Sequence, residues 1–576
     1  MSMYNFNRKN IDWEAIESDF MSYDWQSILA DGNIASNFQI LQENALELCD
    51  RYIQKRIKRR RSKSERKKRL LFKRRKFITT RLKSPSLPSY HRRKLETDLK
   101  AIEEKLIDFF KEQEDKEERN AIDSIKTNPK SFFSYAKRKQ KAKLGIGPLQ
   151  RADGSYTDDP QEMCEILRCQ YESVFSNPKV TSQIDDPDKF FFENNVDGPS
   201  FTDIDLSPED FIEAIDDMPM HSAPGPDAWS SVFIKKCKKA IALPLCIIWR
   251  RSVDVGSIPD DKLQTDTCPL LKGGNKALAK NYRPIALTSH LTKIFERVLR
   301  KKLMIYMEEN QFFNPGQHGF RPGRSCLSQL LDHLDQVLTA MEDKKNFDVI
   351  YTDFAKAFDK CDHGIIAHKL KKLGISGKIG RWIYYFLTHR LQRVVVDNFK
   401  SAPSKVVSSV PQGTVLAPLL FLILISDIDK DVMHSLVSSF ADDTRISRKI
   451  ADIGDTAILQ QDLNQILHWA EENNMDFNEE KFQLIRYGDN KDIQLESSYS
   501  TASNFIIPQA SSVKDLGVII SEDLSFSLHN LKKIEIARKL LGWALRVLRT
   551  RDETPMLTLF KSLILPHLEY CCILSS

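Results

Sequence analysis

The segment Phe440-Ala441-Asp442-Asp443 sets two adjacent carboxylates between Leu436-Val437-Ser438-Ser439-Phe440-Ala441 on one side and Thr444-Arg445-Ile446-Ser447 on the other. The flanks alternate as half-buried strands do, so the reading is strand, two-residue Asp-Asp turn, strand. An isolated Asp-Asp is more often a hydrated hairpin turn than a site, because Asp fills turns readily. A second acidic position changes that weighing. Asp353 lies at the end of the aromatic and β-branched run Phe347-Asp348-Val349-Ile350-Tyr351-Thr352-Asp353-Phe354, which also reads as a strand. Packing the hairpin beside this strand gathers three carboxylates, whose mutual repulsion raises their pKa values unless cations neutralise it. Such a cluster suits two Mg²⁺ roughly 4 Å apart, held by a few carboxylates and completed by phosphate oxygens.

Between the acidic segments lies Ser409-Val410-Pro411-Gln412-Gly413-Thr414, which leads into the apolar run Val415 to Ile425. Upstream stand Asn281-Tyr282-Arg283-Pro284-Ile285-Ala286-Leu287 and His318-Gly319-Phe320-Arg321-Pro322-Gly323-Arg324-Ser325. Downstream are Trp469 to Asn478 with Lys481, then Val513-Lys514-Asp515-Leu516-Gly517-Val518. In this order the blocks resemble the reverse transcriptases of non-LTR retrotransposons, most closely the jockey-like group, over roughly residues 201 to 530. Asn128 to Tyr135 and Tyr171 to Phe175 resemble the region that precedes the polymerase in those elements.

The resemblance implies an α+β right-hand polymerase: fingers, a palm with an antiparallel sheet and helices, and a partial helical thumb, preceded by a helical basic linker. It implies an RNA-directed DNA polymerase (a nucleotidyltransferase) that copies element RNA with Mg²⁺, Mn²⁺ being an alternative ion. Asp353, Asp442 and Asp443 are the expected catalytic and metal-binding residues. Phe358, five residues after Asp353, falls at the family's ribose gate, where a bulky ring excludes a 2′-hydroxyl. The competing reading is a core Phe. Gln412 and Gly413 are expected against the nascent base pair. Gly413 would allow close backbone approach, and neighbouring helix N-terminal amides would favour an anion. The triphosphate needs cations, with Arg283 first, then Lys272 and Arg321, since the guanidinium fork suits phosphate. Lys481 matches the family lysine after the catalytic hairpin, and Leu516-Gly517 resembles the hairpin that grips the primer end. RNA template, DNA primer or target and dNTPs are the implied partners. Two other readings stay open: a viral-type RNA-directed RNA polymerase, with Asp359 reading the ribose, and a catalytically silent RNA-binding remnant.

Composition agrees with this reading. A chain of 576 residues with 41% hydrophobic content suggests several domains with buried cores. Net charge is +7, yet Arg51 to Lys83 holds eighteen Lys and Arg against Glu65 alone. That local +17 leaves −10 for the rest. Such a block reads as a nucleic-acid-binding or nuclear-import arm, against the alternative of a solvated helix. Ten cysteines include no Cys-x-x-Cys pair, so neither zinc nor a disulfide framework is indicated. The polar N-terminus does not read as a signal peptide, and Val415 to Ile425 is short of a membrane span. The expected setting is intracellular, in the nucleus or a cytoplasmic ribonucleoprotein, without a membrane role.

The expected divisions are an N-terminal helical segment (1–50) lacking a core of its own, a basic arm and helical linker (51–142) and a pre-polymerase region (143–200). Fingers and palm (201–490) and a primer-grip hairpin with incomplete thumb (491–576) follow. Within the linker, Leu95, Leu99, Ile102, Leu106 and Phe109 follow 4-3-4-3 spacing, the seam of an amphipathic helix that folds back on the basic one or on the polymerase. The first fifty residues are too few for the endonuclease of related elements, and the end at Ser576 falls inside the family's thumb. A truncated copy is the expectation.

Overall fold

The computed structural model describes the chain except residues 2, 7–9, 31, 54, 56–62, 85–86, 127, 140–145, 194–197, 490–496 and 576. Part of the basic block (56–62) therefore lies outside the described residues. The chain divides into two units, Met1–Lys55 with Gly145–Ser525 and Arg56–Leu144 with Phe526–Ser576.

Strands of the first unit run in chain order β1 (Leu149–Gln150), β2 (Tyr156–Thr157), β3 (Gln264–Leu271), β4 (Tyr282–Leu287), β5 (Asn346–Asp353), β6 (Leu391–Val396), β7 (Phe399–Lys400) and β8 (Ser404–Lys405). After the apolar helix Ala417–Leu424 come β9 (Leu436–Phe440), β10 (Asp443–Ile450), β11 (Gln483–Tyr487), β12 (Ser512–Asp515) and β13 (Val518–Ser521). One sheet has the order β11-β5-β10-β9 and is antiparallel throughout. The other runs β4-β3-β6-β7 with β8 on β6, its β3–β6 pair being parallel. The fold is α+β, as the resemblance implies.

Side-chain alternation gives the antiparallel sheet two apolar faces. Ile350, Ile446 and Leu484 share a core with Leu459, Leu463, Ile466 and Trp469 of the helix Ile453–Glu472. On the opposite face lies the helix Cys326–Glu342, whose His333 ring sits beside Phe347 and Tyr351. Burying both faces explains why β5 reads as a near-continuous apolar run. The helix Pro160–Glu172 packs Met163, Leu167 and Tyr171 against Val394 and Val396 of β6, so part of the expected pre-polymerase region covers the second sheet.

The N-terminal helices Trp13–Met21, Trp25–Ile28 and Ile34–Tyr52 have no separate core. Phe20 packs edge-on to Phe233 at 6.3 Å, and Phe38 to Trp249 at 5.2 Å, which joins them to the main core.

In the second unit, the basic helix Lys63–Leu82 packs on Ser89–Asp123. Ile78 is buried against Ile102 and Leu106, with Leu95 and Leu99 alongside, so the predicted seam faces the basic helix. The structure draws one division differently from the expected 51–142 and 491–576. The hairpin β12–β13 stays with the first unit, whereas Ser527–Val547 and Glu553–Leu559 join the linker helices. The reason is a shared core: Phe132, Tyr135 and Ala136 pack with Ala544, Val547, Leu548 and Leu559. Buried Glu118 also accepts the backbone N–H groups of Arg549 (2.9 Å) and Thr550 (2.7 Å) and the Tyr135 hydroxyl (2.8 Å). Among the described residues one stretch, Glu553–Leu574, is long and apolar enough to cross a membrane by length and composition alone. The reading centred on Val415–Ile425 passes over it because Lys561, Pro566 and Glu569 interrupt its apolar run.

Candidate polymerase active site

The hairpin of β9 and β10 turns one residue earlier than the sequence suggests. Phe440 pairs with Asp443, so the turn is Ala441-Asp442 and Asp443 is the first residue of β10. Ala441 takes a positive φ of 57°, costly for a residue with a Cβ, and the structure supports it from both sides. Gln317 Oε1 accepts the Ala441 N–H at 3.1 Å and the Gly319 N–H at 2.8 Å. A Cβ on Gly319 would stand 2.4 Å from the Ala441 nitrogen, so only glycine permits this approach. His318 N–H bonds the Ser439 carbonyl at 2.9 Å. The block His318 to Phe320 therefore holds the acidic turn.

Register brings the acids together. Asp353, last residue of β5, lies directly opposite Asp443. Asp443 is raised from 3.8 to about 6, first by burial, then by repulsion from Asp442, Asp353 and Asp515, with Lys481 opposing. Asp442 is raised by burial and by Asp353, while Arg283 and Lys272 pull it down. Lys481 Nζ stands 2.5 Å from Asp353 Oδ2. Asp353, Asp442, Asp443, Arg283, Lys272 and Lys481 line one cleft of about 1610 Å³, together with Phe358, Asp359, Gln412 and Gly413.

Arg283 and Lys272 are exposed there, with no carboxylate in ion-pair range among the described residues. Lys356, which sequence reasoning passed over, is a third such cation. It holds a positive φ of 56° just before the short helix Ala357–Lys360. Its signal was its place in the loop after Asp353.

Arg321 does not join them. Its guanidinium is paired with Glu308 at 2.7 Å and donates to the Asn314 and Gln317 carbonyls at 3.0 and 3.2 Å, so its donors are spent inside the fold. The anion expected at the helix after Gly413 is also the protein's own. Buried Glu296 accepts the Val415 and Leu416 N–H groups at 2.6 and 3.0 Å, its pKa raised by burial. The close approach at Gly413, with φ 112°, is to β4, where a Cβ would meet the Ala286 carbonyl oxygen at 2.7 Å. Gln412 lends its carbonyl to the Ala286 N–H at 2.7 Å, and its side-chain Nε2 donates to Asp359 at 3.2 Å.

Phe358 lies between the core and the cleft. Its ring stacks on core Phe421 at 4.6 Å and 18°, meets Phe320 edge-on at 6.4 Å, and borders the cleft. Asp359 is raised to about 6 by burial, against the pull of Lys356, Gln412 and Arg283. Leu516 and Gly517 form the β12–β13 turn with φ 45° and 87°. Leu516 shares a smaller pocket of about 150 Å³ with Asp353, Asp443 and Lys481.

No group of three His, Cys, Asp or Glu among the described residues is closed around a metal position. A complete protein cage does not fit here. The donors do fit a hard divalent cation shared with phosphate oxygens, because Mg²⁺ is held through one or two carboxylates plus its substrate. The opposed, mutually repelling Asp353 and Asp443 supply that number.

Comparison with known proteins agrees with this geometry. Residues 271–520 match the family model for reverse transcriptase (RNA-dependent DNA polymerase). The chain is 27% identical over 335 residues to the probable RNA-directed DNA polymerase from transposon BS of Drosophila melanogaster, covering 56% of this chain and 36% of that protein. It is 27% identical over 377 residues to the RNA-directed DNA polymerase from mobile element jockey of Drosophila melanogaster, covering 63% and 40%. The jockey polymerase of Drosophila funebris is 23% identical over 471 residues, covering 78% and 50%. The chain thus spans between about a third and a half of these curated relatives. Residues 271–520 thus match a reverse transcriptase domain, and the chain is similar to the RNA-directed DNA polymerases of jockey-like mobile elements.

Proposed function

We propose that this chain extends a DNA primer along an RNA template by nucleotidyl transfer, with Asp353, Asp442 and Asp443 holding Mg²⁺. The observation that carries the reading is the opposed pair Asp353–Asp443 at the mouth of a cleft that also holds Arg283, Lys272 and Phe358. Divalent cations, when bound, would stabilise the attacking and leaving oxygens of an in-line displacement. The residues themselves do the rest. Arg283 and Lys272 draw the triphosphate toward the acids. Phe358, backed by Phe421, limits the space beside the sugar. Lys481 neutralises Asp353 before substrate arrives, and in this reading it gives a proton to the departing pyrophosphate. Asp359 accepts from Gln412, which favours a role in fixing Gln412 over reading a ribose hydroxyl.

The exposed cations of the basic helix, Arg66, Arg69, Lys73, Arg74 and Lys76, supply sequence-independent attraction to RNA. The test is primer extension by purified protein on an RNA template, with dNTPs or rNTPs and with Mg²⁺ or chelator. Mg²⁺-dependent incorporation favouring dNTPs is expected. RNA binding without any extension would replace the polymerase reading with that of a silent binder.

A further inference from the structure

Arg445 follows Asp443 by two residues, so both project from the same face of β10, and Tyr351 stands in the same relation to Asp353 on β5. Register pairs Asp443 with Asp353 and Arg445 with Tyr351. The acidic rung is therefore followed, one step down that face, by an Arg–Tyr rung. Both members of the second rung reach one carboxylate. Arg445 Nη1 is ion-paired with Asp515 Oδ2, and Tyr351 Oη donates to the same oxygen at 3.3 Å. Arg445 Nη2 also donates to the Gln329 carbonyl at 3.0 Å and reaches Ser438 Oγ at 3.5 Å. One guanidinium thus joins β10, β9, β12 and the helix Cys326–Glu342.

The pair is almost dry, with Arg445 2% and Asp515 6% exposed. Burying two charges is expensive, and apolar residues of similar volume commonly stabilise a fold as well or better. Core packing alone gives little reason for an ion pair at this place. Its geometry gives another. Asp515 is the last residue of β12, immediately before the Leu516–Gly517 turn, whose two positive φ values make it a tight reversal. The pocket between that turn and the acidic rung, about 150 Å³, is lined by Asp353, Asp443, Lys481, Gln483, Lys514 and Leu516 among others.

We propose that Asp515, held by Arg445 and Tyr351, is a positioning residue that fixes the Leu516–Gly517 turn against the Asp353–Asp443 rung and so seats the primer 3′ end. This rests on the polymerase reading, in which that pocket receives the end of the growing strand. The carboxylate borders that pocket, with Oδ2 engaged by Arg445 and Tyr351. It transmits the register of β5 and β10 to the β12–β13 hairpin, which pairs as a separate two-stranded sheet.

The experiment places 2-aminopurine at the primer 3′ terminus and records its fluorescence in the binary complex, without nucleotide or chemistry. The variants are Asp515→Leu combined with Arg445→Met, and Tyr351→Phe. The double variant is expected to fold, because it replaces a buried pair with apolar residues. It should bind primer–template with an affinity near wild type while losing the terminal signal. First-nucleotide extension should fall roughly tenfold or more, the scale of a small misplacement of reacting groups, with dNTP affinity unchanged. Tyr351→Phe, which removes one hydrogen bond, should weaken the terminal signal by about fivefold, and it carries the test should the double variant fail to fold. An unchanged terminal signal in these variants, or no such signal in the wild type, overturns the proposal. A wild-type terminal signal without any extension overturns the catalytic reading and leaves this one standing.

Discussion

Replacing Asp443 with Asn should make the metal-free protein more stable while removing function. Asp443 stands opposite Asp353 and next to Asp442, and its pKa is raised from 3.8 to about 6 by burial and by these neighbours. A folded-state pKa above the unfolded value means that the charged form costs the fold stability. The cost is absent below pH 3.8, grows as pH rises and is complete above about 6. A rise of about two units corresponds to about 3 kcal/mol if unscreened. The Asp443 side chain is exposed to the cleft, so screening reduces this to about 1 kcal/mol, or about 2 °C in melting temperature for a unit of this size. The assay is thermal unfolding of wild type and Asp443→Asn in chelator from pH 4 to 8, repeated with Mg²⁺. The variant should melt higher above pH 6 and equal to wild type near pH 4. Mg²⁺ should raise the wild type more than the variant, because only the wild type offers the opposed carboxylates. A variant that melts at or below the wild type throughout, in chelator, would refute the repulsive-cluster argument.

Phe358→Val should raise rNTP use relative to dNTP and cost about 2 kcal/mol of stability through the missing stack on Phe421, read by competitive incorporation and by melting. Arg283→Ala should raise the KM for dNTP with less effect on primer binding. It should also move the acidic limb of the rate–pH profile upward, because Arg283 now holds the Asp442 and Asp359 pKa values down. Replacing Arg66, Arg69, Lys73, Arg74 and Lys76 with Gln should flatten the salt dependence of single-stranded RNA binding by about 0.7 for each phosphate no longer neutralised, about 3.5 at most. Substitution is a cleaner test than deleting 51–83, because Ile78 covers Ile102 and Leu106 and its removal would bare the linker seam.

Local pattern carried the strands that bear the acids. The aromatic and β-branched run before Asp353 and the alternation around Asp442 placed β5, β9 and β10 to within a residue or two. The 4-3-4-3 spacing from Leu95 found the seam of a long helix. What stayed hidden depends on residues far apart in sequence. The helices after Phe526 share a core with Phe132 and Tyr135, some four hundred residues earlier, which no local period encodes. Glu296 captures the amides at Val415 and Leu416, so a free anion site was inferred where the protein supplies its own carboxylate. Arg321 carried the right chemistry for phosphate, but Glu308 lies across from it in the fold. Gly319 stands in the sequence only as part of the His318–Ser325 block, and the 2.4 Å approach to Ala441 reveals that it braces the acidic turn.

Single-nucleotide extension of a DNA primer on an RNA template, compared between wild type and Asp442→Asn with Mg²⁺ present, tests the central claim most directly. Asn preserves the shape of the Ala441-Asp442 turn and removes one charge from the cluster. Charge stabilisation worth several kcal/mol in the transition state implies a fall of about a thousandfold or more in rate. Affinity for RNA should stay within about twofold, because the phosphate-binding cations are untouched. Extension by Asp442→Asn at the wild-type rate would contradict the assignment of these carboxylates to metal-dependent nucleotidyl transfer.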